Sequence, residues 1–372
     1  MKNLILVALI SIAIGICSAQ CPCSDDSLCD PVSAGVRPEF VGFSMVNEQS
    51  IWESYDWNIL TTLALFYPVQ DLSTDLLCLA HSKQTRIVIG ASFPVNQLWN
   101  YTAQEEWIQT QIQTVQQYHL DGVNIDIEDV IAEDQQDLSA LLTGFVAKTN
   151  YEFKNVNPNY QVTFDVAWAA GCIDLRCYDY QGLAMASDFI IAMDYDTQSQ
   201  IFTQHCTANA NTPAQRAWQG TESFLNLGIP PSKLVMALPW YGYDYTCIGE
   251  GMTLNNTVCT IKWDEYRGVN CSDAAGTQLW YSQIVDLMAN QSIQKTPQQW
   301  SNQVYAPWFN YINPNDQQVH QIWFDDAQSI SIKVDIAQYF ELLGIGIWNI
   351  DFLSTSQSET QDMWQAVAQY FS

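Results

Sequence analysis

The chain has 372 residues, of which 48% are hydrophobic and only 14% charged, so it can bury one large apolar core. Its 40 acidic and 13 basic side chains give a formal net charge of −27 at pH 7. A field of that sign repels phosphate backbones and anionic lipids. Nucleic acid and membrane surfaces are therefore disfavoured as partners.

The N-terminus has the pattern of a signal peptide. Lys2 precedes an apolar run over residues 4–16, and the small residues Ser18 and Ala19 follow it. This order of basic, apolar and small residues predicts a signal peptide over residues 1–19, because the run is too short to span a membrane. We therefore expect a lysosomal or secreted protein, with a signal anchor as the alternative.

The cysteines agree with that route. Loss of Cys17 with the signal peptide leaves ten of the 11 cysteines, an even number that favours disulfides in the secretory pathway. Cys172 with Cys177, and Cys247 with Cys259, could each close a local loop. We expect no metal and no cofactor, because no pair of Cys or His residues has the spacing of zinc ligands. Four sequons, at Asn100, Asn255, Asn270 and Asn290, are consistent with secretion.

Short runs rich in β-branched and aromatic residues alternate with helical patterns along the chain. The helical patterns include Ile108, Ile112 and Val115 on one face, after a capping box of Thr102 and Glu105. Several runs are continuously apolar, which is typical of a buried parallel sheet. The predicted strands are residues 40–45, 60–67, 86–92, 122–128, 161–167, 188–194, 233–239 and 344–350.

Eight strand–helix units predict an α/β protein with a (β/α)8 TIM barrel, and a doubly wound open sheet is the alternative. About a hundred residues separate the last two predicted strands, far more than one helix needs. We interpret the segment of about 243–335 as an insertion between strands 7 and 8, over the C-terminal rim of the barrel.

One acidic segment carries the candidate chemistry. Because side chains alternate along a strand, Asn124, Asp126 and Glu128 share one face and the intervening apolar residues share the other. In a barrel this places Glu128 at the C-terminal mouth, where barrel enzymes carry out their reactions. The charge of Asp126 and partial burial both favour a protonated Glu128, which could then donate a proton to a leaving group.

The pattern from Asp121 to Glu128 resembles the active-site strand of family 18 glycoside hydrolases, the chitinase group. The likeness continues through Met193-Asp194-Tyr195-Asp196, residues 233–242 and residues 344–348. Several shorter segments, such as residues 240–247, resemble a lysosomal branch of this family. The resemblance covers residues 20–372 and implies that they form one catalytic barrel.

The resemblance implies a retaining glycosidase that uses its substrate's own acetamido group as the nucleophile, beside N-acetylglucosamine (GlcNAc). Glu128 would protonate the glycosidic oxygen, Asp126 would hold the acetamido N–H, and Tyr195 would donate to the acetamido oxygen. Asn124 departs from most chitinases, which have Asp there, and the effect of this change on the pH profile is open. The implied substrate-binding residues are Asn124, Met193, Asp196, Trp240, Arg267 and Trp348.

These residues also have simpler interpretations. Met193 and Trp348 could fill the barrel core, Tyr195 and Asp196 could form a structural hydrogen bond, and Arg267 could be a rim charge. For the whole chain, the leading hypothesis is a monomer that acts from the reducing end on GlcNAcβ1-4GlcNAc in chitooligosaccharides or N-glycan core fragments. The alternatives are an open-cleft chitinase or endo-N-acetylglucosaminidase, and a non-catalytic lectin. The presence of Glu128 disfavours the lectin.

Overall fold

Eight parallel strands close into a barrel in a computed structural model that describes residues 20–33, 35, 37–200, 206–356 and 358–372. Their order around the barrel is β1-β13-β7-β6-β5-β4-β3-β2, so the open-sheet alternative is wrong. The strands are β1 (Glu39–Ser44), β2 (Thr62–Leu65), β3 (Arg86–Ala91), β4 (Gly122–Ile125), β5 (Gln161–Ala167), β6 (Phe189–Met193), β7 (Leu234–Pro239) and β13 (Gly344–Trp348).

Helices connect the strands and cover the outside of the barrel. On the third helix, Ile108, Ile112 and Val115 are buried as predicted, but Asn100 rather than Thr102 caps its N-terminus, accepting from the backbone N–H of Ala103. The helices are α1 (Gln49–Trp52), α2 (Thr74–Ser82), α3 (Tyr101–Gln117), α4 (Gln136–Val156), α5 (Tyr180–Ala186), α6 (Ala214–Asn226), α7 (Tyr281–Ala289), α8 (Ala327–Tyr339) and α9 (Glu359–Ala368).

A second sheet lies between β7 and β13. It contains β8 (Tyr241–Thr246), β9 (Thr277–Trp280), β10 (Gln299–Ser301), β11 (Ala306–Ile312) and β12 (Val319–Trp323), all antiparallel, in the order β10-β11-β12-β8-β9. This is the predicted insertion after the seventh strand. Helix α8, most of which falls inside the predicted range of about 243–335, instead packs against α6 and α9 as a helix of the barrel layer.

All ten cysteines of the described residues form disulfides. The two predicted pairs, Cys172–Cys177 and Cys247–Cys259, are confirmed. The other three are Cys21–Cys29, Cys23–Cys78 and Cys206–Cys271. The last of these, together with the two predicted pairs, stabilises the rim above the barrel, because all three join residues of the long connections that follow β5, β6 and β7.

The predicted signal peptide lies outside the described residues, so its cleavage stays a prediction. Within the described ranges, no helix is both long and apolar enough to cross a bilayer.

Candidate active site

The acidic segment lies where β4 ends. Val123, Ile125 and Ile127 are completely buried, whereas the side chain of Glu128 is 45% exposed. The alternation predicted from the sequence therefore continues to Glu128, although β4 itself stops at Ile125. The chain stays in place beyond the strand because the hydroxyl of Tyr178 donates to the carbonyls of Ile127 and Asp129, at 3.1 and 2.5 Å.

Asp121 has a different role at the opposite end of the strand. Its carboxylate accepts from the backbone N–H groups of Val32 and Ile87, both at 2.6 Å, and contacts His81 Nε2 at 2.9 Å. The next residue, Gly122, has φ +150, and a Cβ there would lie 1.9 Å from the carbonyl oxygen of Gln161. The first two residues of the acidic motif are therefore structural.

Asn124 lies beneath the site and does not reach its surface. It is completely buried, and its Nδ2 donates to Thr163 Oγ1 and Asp165 Oδ1, both at 2.9 Å. Burial, followed by the charge of Asp126, raises the pKa of Asp165 well above its usual value. Asp165 was not predicted as a site residue, although the alternation that indicated Asp126 also applies to β5. Asp165 is therefore a second carboxyl group under Asp126, held by the amide of Asn124.

The structure stabilises the protonated form of Asp126. Burial raises the pKa of Asp126 to about 7, and the charge of Glu128 acts in the same direction, whereas Arg176 opposes both. From the sequence, the neighbouring carboxylate and partial burial were expected to act on Glu128. The structure places the more buried environment around Asp126, and its Oδ1 has no hydrogen-bond partner among the described residues.

Glu128 has a cationic partner that the sequence did not indicate. Arg176 Nη1 donates to Glu128 Oε2 at 2.9 Å, and the Arg176 side chain is only 3% exposed. Arg176 follows the short 3-10 turn Ile173–Leu175, inside the loop that the Cys172–Cys177 disulfide closes. Forty-eight residues separate the two partners in the chain. No local pattern relates such distant positions, which is why the pair was missed.

Aromatic rings form one wall of the site. Trp348, at the end of β13, is half-buried and packs against Phe43, Phe66 and Tyr195, with ring centroids 5.6, 5.3 and 6.3 Å away. Tyr195 follows β6 and is 9% exposed. A partly exposed indole that other rings hold in place offers a flat apolar face of the kind on which a sugar ring can stack.

Asp196 lies beside this wall, and the insertion holds it there. Its Oδ1 accepts from the hydroxyls of Tyr241 at 2.6 Å and Tyr243 at 2.9 Å, both on β8. Burial raises the pKa of Asp196, and the two tyrosine hydroxyls oppose that rise. Asp196 is therefore fixed through the sheet that follows β7.

Two cavities meet the acidic segment. One of about 400 Å³ borders Asp126 and the ends of β2 and β3. Another of about 420 Å³ borders Glu128 and is lined by Asp174, Arg176, Met193, Tyr195, Asp196, Tyr243, Tyr266, Asp273, Ala274, Gly276 and Gln278. Because β3 and β5 flank β4 on opposite sides, the cavities lie on either side of the two carboxyl groups. Their volumes are in the usual range for small-ligand pockets, about 300–1,000 Å³.

Four of the predicted substrate-binding residues line neither cavity: Asn124 and Trp348, which are described above, and Trp240 and Arg267. Trp240 is completely buried against Trp364, with ring centroids 4.9 Å apart, and so has no surface to offer a ligand in this structure. Arg267 Nη1 donates to Asp174 Oδ2 at 2.7 Å and does not line either cavity. Met193, Tyr195 and Asp196, in contrast, all line the larger cavity.

Within the described part of the chain, one cluster of side chains has metal-ligand chemistry, consisting of Cys21, Cys23 and Cys29. All three form disulfides, so they offer no free thiolate.

Comparison with known proteins identifies the family. A profile of the glycosyl hydrolases family 18 matches residues 87–352. The chain belongs to glycosyl hydrolase family 18. As a family 18 member it is a glycoside hydrolase, and the part of the chain that matches contains the acidic segment, Tyr195, Trp348 and the insertion.

Curated family 18 relatives match along almost the whole chain. The probable di-N-acetylchitobiase 2 of Dictyostelium discoideum is 46% identical over 94% of this chain and 91% of its own length. The di-N-acetylchitobiase of Homo sapiens is 38% identical over 94% of this chain and 88% of its own. The fold also matches a family 18 chitinase from Cycas revoluta in complex with (GlcNAc)4, with a TM-score of 0.69 at 15% identity over 90% of this chain and all of that one.

Proposed function

We propose that this glycoside hydrolase is a retaining enzyme that hydrolyses GlcNAcβ1-4GlcNAc linkages in chitooligosaccharides or N-glycan core fragments. The names of its relatives support this substrate class. The observation that carries the proposal is the position of Glu128 and Asp126 at the C-terminal mouth of the barrel, where one cavity borders Glu128 and a second borders Asp126. A glycosidic bond that lies across this position has one sugar in each cavity.

In the proposed reaction the substrate supplies the nucleophile. Glu128 gives its proton to the glycosidic oxygen, and the bond between that oxygen and C1 breaks. The acetamido oxygen of the same sugar forms the new bond to C1 and produces an oxazolinium ion. Water then attacks C1, its proton passes to Glu128, and the acetamido group is released. Two displacements at C1 retain the anomeric configuration.

Asp126 controls where the proton lies. With its pKa near 7, Asp126 is protonated in an acidic compartment when no ligand is present. An acetamido N–H that donates to Asp126 favours its carboxylate form, because a donated hydrogen bond stabilises the charge. Binding therefore makes the proton of this pair available at Glu128, and the Asp126 carboxylate then stabilises the positive oxazolinium ion. Tyr195, next to Trp348, donates to the acetamido oxygen.

The shape of the larger cavity supports action from the reducing end. Gln278 on β9 and Gly276 just before it line this cavity together with Glu128. The Cys206–Cys271 disulfide ties the preceding loop to residues that follow β6. We infer that one reducing-end sugar fits between Glu128 and Gln278, and that the chain acts there as a monomer. A rigid wall excludes longer occupants more strongly than any single contact attracts them.

The acid is tested by Glu128→Gln, which keeps the shape of the side chain but has no proton to give. We expect kcat on chitobiose to fall by about a thousandfold with little change in sugar binding. The matched control is Glu133→Gln, an exposed glutamate five residues later that should leave kcat unchanged. Substantial turnover by Glu128→Gln would move the acid to another residue.

The nucleophile is tested by the substrate. Replacing the acetamido group by hydroxyl, as in cellobiose, should abolish cleavage, whereas a thiazoline mimic of the oxazolinium ion should inhibit at micromolar concentrations or below. Isolation of a glycosyl ester on Asp126 would refute the mechanism.

The direction of cleavage is tested with a chitotetraose that carries an isotope at its reducing end. Early label in free GlcNAc supports reducing-end action. Early label in chitobiose would mean an open cleft, as in a chitinase, and release from glycans still linked to asparagine would indicate an endo-N-acetylglucosaminidase. Binding without any cleavage would indicate a lectin.

We also propose that the protein travels through the secretory pathway to the lysosome or the outside of the cell. Five disulfides support folding in an oxidising compartment. N-terminal sequencing of the purified protein tests the predicted cleavage after Ala19.

A further inference from the structure

The partner of Glu128 is a buried cation. The Arg176 guanidinium is 3% exposed, and its shorter contact goes to Glu128 at 2.9 Å rather than to Asp174, which is 3.5 Å from Nη2. A hydrogen bond between charged groups at this distance is among the stronger interactions a side chain can make. The candidate acid is therefore held by one defined group.

Arg176 is itself held from the insertion. Asp174 Oδ2 accepts from Arg267 Nη1 at 2.7 Å, and Arg267 also reaches the Asp174 carbonyl at 3.3 Å. The side chain of Asp174 is 2% exposed and that of Arg267 is 24% exposed, so this pair is largely shielded from water. Arg267, Asp174, Arg176 and Glu128 thus form a continuous chain of charges from the loop between β8 and β9 to the end of β4.

The chemistry of arginine restricts Glu128. A guanidinium has five N–H donors and no acceptor, so the carboxylate oxygen that faces Arg176 can only accept. When Glu128 is protonated, its hydroxyl must therefore be on Oε1, the oxygen that Arg176 does not bind. Loss of the nearby positive charge should therefore change the pH dependence of the reaction.

We propose that Arg176 is a positioning residue for the hydrolytic reaction, which orients Glu128 and sets the upper end of the pH range in which this acid is active. Arg267 acts through Asp174 to keep Arg176 in place. The inference rests on the proposed role of Glu128 as the acid. It gives the insertion a part in the chemical step as well as in the shape of the cleft.

The pH dependence arises from all the charged and titratable groups around Glu128. Arg176 is the cation in direct contact with it, and the acidic neighbours act in the opposite direction. The groups that interact with Glu128 come from the ends of β4, β5 and β6 and from the insertion: Asp126, Asp165, Asp174, Arg176, Tyr178, Tyr195, Asp196 and Tyr266.

The test is the pH profile of kcat/KM for chitobiose in Arg176→Met and Arg176→Lys. In Arg176→Met we expect the high-pH limb to move upward by about one pH unit or more, because the cation that favours the carboxylate is gone. At low pH, kcat should fall about tenfold or more, since the acid is no longer oriented. Lysine keeps the charge, so in Arg176→Lys the high-pH limb should lie close to its wild-type pH, whereas kcat should be restored only in part.

Arg267→Met should move the limb in the same direction by a smaller amount. The matched control is Arg86→Met, which removes another buried arginine that pairs with a glutamate, Glu39, at 3.3 Å and at the opposite end of the barrel. If loss of stability alone lowers activity, Arg86→Met should lower it too, but its high-pH limb should stay at the wild-type pH. Melting curves of all four variants identify those that are folded.

If folded Arg176→Met has the wild-type limb and kcat, or if Arg176→Lys does not restore the limb, the inference is wrong. These outcomes are distinct from a failure of the proposed function, which would appear as an inactive wild type or an active Glu128→Gln.

Discussion

Lys333 is a completely buried lysine, and its removal should strongly destabilise the protein. It lies on α8 and pairs with Asp325, which is also fully buried. Asp194, at the end of β6, is a second buried carboxyl nearby. Burial raises the pKa of Asp194 to about 8, the charge of Lys333 opposes this rise, and Asp325 adds to it. The ammonium group of Lys333 therefore stabilises the charged forms of two buried carboxyl groups.

Lys333→Met keeps the length of the side chain and removes its charge. An uncompensated buried carboxylate costs about 3–5 kcal/mol, which corresponds to a loss of roughly 4–7 °C in melting temperature for a chain of this size. The effect should depend on pH. Burial raises the pKa of Asp325 and Lys333 opposes the rise, so without Lys333 the folded-state pKa lies further above the unfolded value. Stability is then lost as pH rises between those two values, and the penalty is larger at pH 7.5 than at pH 5.

The assay is urea unfolding at both pH values, with two further variants. Lys154→Met removes an ion pair with Asp188 that is about one-third exposed, and it should cost less than about 1 kcal/mol. Lys333→Met combined with Asp325→Leu should recover part of the loss, because Asp325 then leaves no buried charge, whereas Asp194 still lacks its cation. A penalty below about 1 kcal/mol for Lys333→Met at pH 7.5, or one that is equal at the two pH values, would refute the reasoning.

Three other predictions concern the rim. Trp348→Ala should lower kcat/KM on chitobiose about a hundredfold or more through loss of the stacking surface, whereas Trp218→Ala, outside the barrel, should not. His320→Gln should destabilise the protein more at pH 5 than at pH 8.5, as measured by melting curves. Burial lowers the pKa of His320, but Asp244 and Asp316 outweigh burial, so the pKa is raised overall. The stability that protonated His320 contributes is therefore lost as pH rises through that pKa. Replacing both cysteines of the 172–177 bridge with serine should cost about 2 kcal/mol in urea unfolding and move the pH limb as Arg176→Met does.

Periodicity predicted the barrel well, because each barrel strand is a local pattern. The runs at 161–167 and 233–239 match β5 and β7 to within one residue. The run at 122–128 overshoots, since hydrogen bonding to β5 stops at Ile125 while the alternation of side chains continues. A capping box at Thr102 was wrong because Asn100, two residues earlier, already caps α3, and sequence alone does not say which polar residue makes that bond.

The site was only partly predictable, because only some of its residues belong to a local pattern in the sequence. Asp126 and Glu128 belong to one strand pattern, whereas Arg176 and Asp174 reach Glu128 through a loop whose φ is positive at Asp174 and Leu175. Such a loop follows no period, and its contacts depend on tertiary structure. The sheet of the insertion was missed as a sheet because its strands pair out of chain order, and the segment was predicted only from its length.

The five-stranded sheet leaves and rejoins the barrel through neighbouring strands. β8 follows β7 after a single residue, and β12, which leads back to α8, pairs antiparallel with β8 from Tyr243 opposite Trp323 to Thr246 opposite His320. The whole sheet therefore joins the barrel as a single hairpin would, through two neighbouring antiparallel strands. Its length could change during evolution without altering the register of any barrel strand. A longer or shorter sheet would therefore change the residues that border the cavity beside Glu128 while the acidic strand stays the same.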